Sequence, residues 1–129
     1  MKTITLSQPW ATLVSTGVKK IETRSWSTKH RGELAIHAAK GFPKEARDFA
    51  MTERTLGRVP PRLPLGAVLA IVKLVDVRAT FMFDGEISAL ERLYGDYSAG
   101  RYGWVLELVE TFDEPIPAKG ALGLWNWER

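Results

Sequence analysis

Ten residues, Gly17 to Trp26, bring together two lysines, a glutamate, an arginine and a tryptophan directly after a short apolar segment. Lysine supplies a mobile point charge, arginine a planar donor fork for phosphate or a base edge, and tryptophan a face on which a ring can stack. Lys19, Arg24 and Trp26, joined by Trp10 upstream and Arg31 downstream, therefore make a candidate nucleotide pocket. Glu22 is the odd member. A site for phosphate alone has no use for a carboxylate, whereas a site that reads a base can use one to accept from an exocyclic amine. The same carboxylate can equally hold Lys19 or Arg24 in place through an ion pair. If the chemistry were catalytic, Lys19 and Glu22 are the pair close enough in sequence to supply a base and a proton carrier.

Read as an extended strand from Lys20 onward, the segment puts Lys20, Glu22, Arg24 and Trp26 on one face and Ile21, Thr23 and Ser25 on the other. Strict alternation then sets Lys19 opposite Glu22 and Arg24, unless Gly17 and Val18 bend the chain so that pleating starts later. A solvated edge strand with its charges in water is the competing reading of these residues.

The flanking elements decide where this strand sits. Lys2 to Leu6 alternates as a strand; Ser7-Gln8-Pro9 reads as a helix start, with Trp10, Leu13 and Val14 at helical spacing and Gly17 as its stop. A strand, a two-turn helix and a second strand joined this tightly lie side by side, which brings Gln8 and the helix start next to the charged strand. Glu33 to Ala39 alternates again, with Leu34, Ile36 and Ala38 on one face and His37 on the other. Pro43 to Leu56 is a charged helix candidate ending at Gly57, followed by the proline-rich connector Arg58 to Pro64. Gly66 to Val77 is the most apolar stretch and reads as a strand buried on both faces at its start. Asp84 is placed to cap a short helix carrying Ile87, Leu90, Leu93 and Tyr94. Arg101 to Thr111 is a further strand, and a turn-rich tail leads to a last short one near Trp125, with Trp104, Trp125 and Trp127 expected as core and rim aromatics. The sum is α+β, mainly β: five to six strands in a closed or nearly closed barrel, with two to three short helices at its ends.

A chain of 129 residues is one domain, residues 1–129, large enough to bury a core. It has no cysteine, so disulfides, thiolate zinc sites and a cysteine nucleophile are excluded. The two histidines and scattered carboxylates show no metal-ligand spacing, and no cofactor is implied. No signal peptide or membrane-length apolar run is present, and a cytoplasmic location is the expectation. The net charge of +3 is unevenly spread. Met1 to Arg62 carries twelve Lys and Arg against five Asp and Glu, and Leu63 to Arg129 six against ten. A basic half of this kind suits a polyanionic partner.

Taken in order, Ser7-Gln8-Pro9-Trp10-Ala11, the Gly17-x-Lys19-x-x-Glu22-x-Arg24 signature, Arg31-Gly32 to Ala38, Gly66 to Asp76 and the Pro115 to Trp125 tail resemble the ASCH family of the PUA-like superfamily. The resemblance implies a small PUA-like β-barrel with a nucleic-acid cleft, most often for RNA, lined by the signature at Gly17, Lys19, Glu22 and Arg24. RNA or a nucleotide is thus the expected partner, with DNA as an alternative, and Gln8, Trp10, Lys19, Glu22, Arg24, Trp26 and Arg31 are the expected contacts. Some bacterial relatives hydrolyse N4-acetylcytidine with the signature lysine, a threonine at the place of Glu22 and a distal glutamate. Here the threonine is missing and Glu86 is the candidate for the distal acid, so a hydrolase acting on such a nucleoside or on RNA is the alternative to a binding module.

Overall fold

The computed structural model describes residues 1–52, 55 and 57–129. Six strands and three α-helices follow in the order β1 (Lys2–Leu6), α1 (Trp10–Ser15), β2 (Ile21–Arg24), β3 (Gly32–Ala38), α2 (Lys44–Ala50), β4 (Ala67–Ala79), α3 (Ala89–Leu93), β5 (Tyr102–Pro117) and β6 (Trp125–Asn126), with a 3-10 turn at Thr80–Phe83 between β4 and α3. The strands form one sheet in the order β2-β5-β4-β3-β1-β6. Among the described residues only β1 and β3 pair in parallel; the long β4 and β5 pair antiparallel and form the spine of the sheet.

The expectation of a closed or nearly closed barrel meets an open sheet. Among the described residues no ladder joins the end strands β2 and β6. β2 nevertheless approaches the far side of the sheet: its Arg24 donates from Nη2 to the carbonyl of Thr5 on β1, the strand next to β6, at 2.8 Å. A side chain, rather than a backbone ladder, spans that gap. Register shifts in the β4–β5 and β3–β4 ladders add local twist to the sheet.

The main core lies between α1 and the sheet, where Ile4, Leu6, Val14, Leu34, Leu74 and Trp104 are buried together. A smaller cluster holds Ala35, Val68, Ile71 and Trp127. β4 is buried over Ala67–Val72 and first meets water at Lys73, as its apolar run predicts. Gly17, at φ +81, ends α1 in a conformation that side chains avoid. Two helices differ from expectation. α2 stops at Ala50, well before Leu56, which with Glu53 and Arg54 lies outside the described residues. α3 is capped not by Asp84 but by Ser88, whose Oγ accepts from the Glu91 N–H at 3.0 Å, because the 3-10 turn intervenes after β4.

Candidate functional site

Between Gly17 and β2 the chain is pinned to the end of α1 by the Lys19 N–H, which donates to the carbonyl of Leu13 at 2.9 Å. Pleating therefore starts only at Ile21, and the Lys19 side chain turns inward and is fully buried. Its Nζ donates to the carbonyl of Ile21 and lies 3.2 Å from Glu22 Oε1. The other oxygen of Glu22 is 3.6 Å from Arg24 Nε. The two ion-pair alternatives open to Glu22 thus hold together, and the carboxylate bridges a buried ammonium and a half-buried guanidinium. Lys19 faces Glu22 and the protein interior.

Glu22 and Arg24 show their other sides to a cleft of about 450 Å³, whose lining includes Trp10, Phe49, Tyr94 and Asp96. Its aromatic wall is continuous. Trp10 and Phe49 stack with centroids 5.2 Å apart at 20°, and Phe49 meets Tyr94 edge-on at 6.2 Å. Gly95 lets the segment after α3 press against β2, since a Cβ there would stand 3.0 Å from both Thr23 and Tyr97. That contact is locked by the Asp96 N–H on Thr23 Oγ1 at 2.9 Å. Hydrogen bonds from Ser98, aided by Arg101, hold the Asp96 carboxyl below its ordinary value, so the cleft carries a second carboxylate. Burial pushes the Tyr94 phenol up and the charge of Arg58 draws it back.

The ASCH domain family matches residues 4–116, most of the chain and all of the cleft strand. The protein belongs to the ASCH domain family. Activating signal cointegrator 1 of Homo sapiens is 39% identical over 129 residues, and its Mus musculus counterpart 28%. These alignments cover 95% of this chain but 22% of either relative, so the chain spans about a fifth of their length. The solved ASCH structure from Zymomonas mobilis, and a mutant of it, superpose with a TM-score of 0.59 at 15% identity, covering 99% of this chain and 87% and 89% of theirs. At that identity they speak for the fold alone.

Within this ASCH domain the expected site residues separate. Trp10, Glu22 and Arg24 share the cleft. Gln8 is buried and spends its amide on structure: Oε1 accepts from the Thr12 N–H at 3.0 Å and Nε2 donates to the carbonyl of Pro64 at 2.8 Å. Trp26 packs edge-on against the buried Trp104 at 4.9 Å and accepts the Trp104 Nε1 hydrogen at its carbonyl. Arg31 is exposed, hydrogen-bonded to the carbonyls of Thr28 and His30 and 3.9 Å from Asp76. Glu86 pairs with Arg78 at the surface. Among the described residues no cluster of three or more His, Asp or Glu side chains is placed to hold a metal, and no helix is long and apolar enough to cross a membrane.

Phe49, Asp96 and Glu91 escaped the sequence reading, and Tyr94 entered it only as a residue of the short helix after Asp84. Glu91 Oε1 accepts the Lys20 N–H at 2.7 Å, tying α3 to the start of β2, while its Oε2 is buried without a hydrogen-bond partner. Burial raises the Glu91 carboxyl above its ordinary value, against the lowering effect of that hydrogen bond and of the Lys19 charge. The Tyr97 phenol oxygen is likewise buried without a partner, and burial together with the Glu91 charge raises its pKa. A sequence signal for Glu91 existed: Ser88-Ala-Leu-Glu91 has capping-box spacing. The backbone half of that box forms, but the Glu91 side chain leaves it to reach β2.

Proposed function

We propose that this ASCH domain is a nucleic-acid-binding module that takes one base of single-stranded RNA, or a free nucleotide, into the Trp10 cleft. The observation that carries the reading is the juxtaposition of an aromatic face, Trp10, with the Glu22–Arg24 pair in a single cavity. Stacking on Trp10 supplies sequence-tolerant affinity, and Arg24 and Glu22 supply a donor and an acceptor for a base edge. Carboxylates at Glu22 and Asp96 disfavour a bare phosphate in the cleft, so the phosphates belong outside it, on the basic first half of the chain, where Lys20 and Arg31 are exposed. The reach of Arg24 from β2 to Thr5 on β1, next to the far end of the sheet, is in keeping with a PUA-like barrel around such a site.

The test is titration of the wild type with a short mixed-sequence RNA and the matching DNA strand at low and moderate salt, beside Trp10→Ala. Affinity should fall steeply with salt, and loss of the stacking face should cost about 1–3 kcal/mol of binding in a protein that stays folded. Absence of binding at low salt, or a folded Trp10→Ala that binds as the wild type does, contradicts the reading.

A second reading has one specific observation behind it. Glu91, desolvated and raised, stands beside the ion-paired Lys19–Glu22 couple, and carboxyl groups in contrasting environments are the raw material of acid–base catalysis. On that reading the domain is a hydrolase, either an amidohydrolase of N4-acetylcytidine-type nucleosides or a ribonuclease, with Lys19 and Glu22 in the catalytic roles and Glu91 in place of Glu86 as the distal acid. Turnover of N4-acetylcytidine or of the RNA probe, abolished by Glu22→Gln and Glu91→Gln with folding intact, would establish it.

A further inference from the structure

We propose that Phe49 is the movable wall of a base slot: a planar ring enters between Trp10 and Phe49, and α2 shifts outward to admit it. The inference rests on the reading of the cleft as a base site and adds a residue, a motion and a restriction on the ligand. Trp10 and Phe49 stand 5.2 Å apart and within 20° of parallel, the arrangement a bound base would itself adopt on Trp10, so Phe49 occupies the stacking face that the ligand needs. The two walls are anchored very differently. Trp10 opens α1, in which Ala11, Thr12, Leu13, Val14 and Ser15 are all buried. α2 has a single buried residue, Ala46, and no side-chain hydrogen bond at its N-terminal cap. Its Phe49 leans on Trp10 and, edge-on, on the buried Tyr94 of the segment after α3. Displacement therefore falls on α2.

Sandwiching one ring requires the two walls to separate by about 3.4 Å, the rise of one stacked base. Tyr94 stays behind as the fixed edge of the slot. Such a slot takes a ring with both faces free: a nucleoside, or an unstacked base of a single strand. A base paired within a duplex has its faces covered by its neighbours and is excluded.

The experiment uses the full chain and three probes: a short single-stranded RNA, the same RNA annealed to its complement, and ribose 5-phosphate. Phe49→Ala should weaken binding of the single strand by about tenfold and leave ribose 5-phosphate unaffected. Phe49→Leu, which keeps the apolar contact but removes the ring, should do the same in a variant that preserves packing. Amide exchange through Lys44–Ala50 of the wild type should change when the single strand binds and not when the duplex is added. Binding of the single strand that is unchanged or tighter in folded Phe49→Leu, exchange through α2 that does not respond, or a duplex bound as tightly as the single strand overturns the proposal while leaving Trp10 as a base contact. A wild type that binds none of the RNA overturns both.

Discussion

Thr5 and Leu6, neighbours at the C-terminal end of β1, border two polar sites that differ in how their hydrogen-bonding capacity is spent. On one side, His37 is buried among Thr5, Trp125 and the carbonyl of Ala118. The carbonyl can only accept, so His37 Nε2 carries a hydrogen and donates at 2.7 Å; a neutral ring then accepts the Thr5 hydroxyl at Nδ1, and Thr5 Oγ1 accepts from Trp125 Nε1 at 3.0 Å. Every ring nitrogen has a partner inside the protein. Both sides border a cavity, about 1010 Å³ beside His37 and about 450 Å³ beside Trp10 and the Glu22–Arg24 pair, but on the second side Glu91 Oε2 and Tyr97 Oη are buried without hydrogen-bond partners. The hydrogen-bonding capacity of His37 is used up on Thr5 and on the Ala118 carbonyl of the tail. The charged strand, which reads equally well as a solvated edge, is the side with capacity left over.

The contrast is broken most severely at Lys19. Its ammonium is the buried counterpart of Glu22, so Lys19→Ala leaves a carboxylate short of one partner and an empty space beneath β2. We expect a loss of about 3–5 kcal/mol in urea unfolding, the usual cost of breaking a buried ion pair. A loss below 1 kcal/mol would mean that Lys19 is not part of the scaffold and is free for chemistry.

On the opposite side, Gly120→Ala would set a Cβ 2.6 Å from His37 Cε1 and 2.9 Å from both His37 Nδ1 and Thr5 Oγ1. Overpacking of this kind costs about 1–3 kcal/mol. RNA affinity measured on the folded variant should be unchanged; a matching fall in affinity would move the ligand site to the His37 side.

The smallest effect is one of pH. Because the folded-state pKa of Glu91 is raised, its ionised form works against the fold: the cost is absent below the ordinary carboxyl value of 4.5 and grows as pH rises through the raised value. Glu91→Gln keeps an oxygen for the Lys20 N–H and removes the charge. Its thermal midpoint should therefore gain on the wild type between pH 4 and pH 7. An equal gap at the two pH values would show that the carboxyl is not desolvated as described.

Much of this was legible in the chain. The strand of the signature, the stop at Gly17, the alternation of β3 and the doubly buried start of β4 follow from residue periodicity and from the conformational freedom of glycine, both of which act between near neighbours. The partners of the site residues do not. Lys19 turns inward because its own N–H is held by α1, Trp26 is claimed by Trp104 across 78 positions, and Glu91 reaches back 71 positions to Lys20. Phe49 has no local sign of function at all, since its role comes from the placement of α2 over Trp10. The surplus of basic residues in the first half does not carry over to the cleft for a related reason: folding brings Asp96 from the acidic half into its lining beside Thr23 of β2, and a surplus counted along the chain cannot show that.

The most direct measurement is a map of amide and indole N–H chemical shifts as the short single-stranded RNA is titrated into the wild type. The account predicts that the shifts concentrate on Trp10, Glu22 to Arg24, Phe49 and Gly95 to Asp96, with His37 and Lys119 to Leu122 left in place. Shifts centred on His37 and the Lys119–Leu122 tail, with the Trp10 indole unmoved, would contradict it.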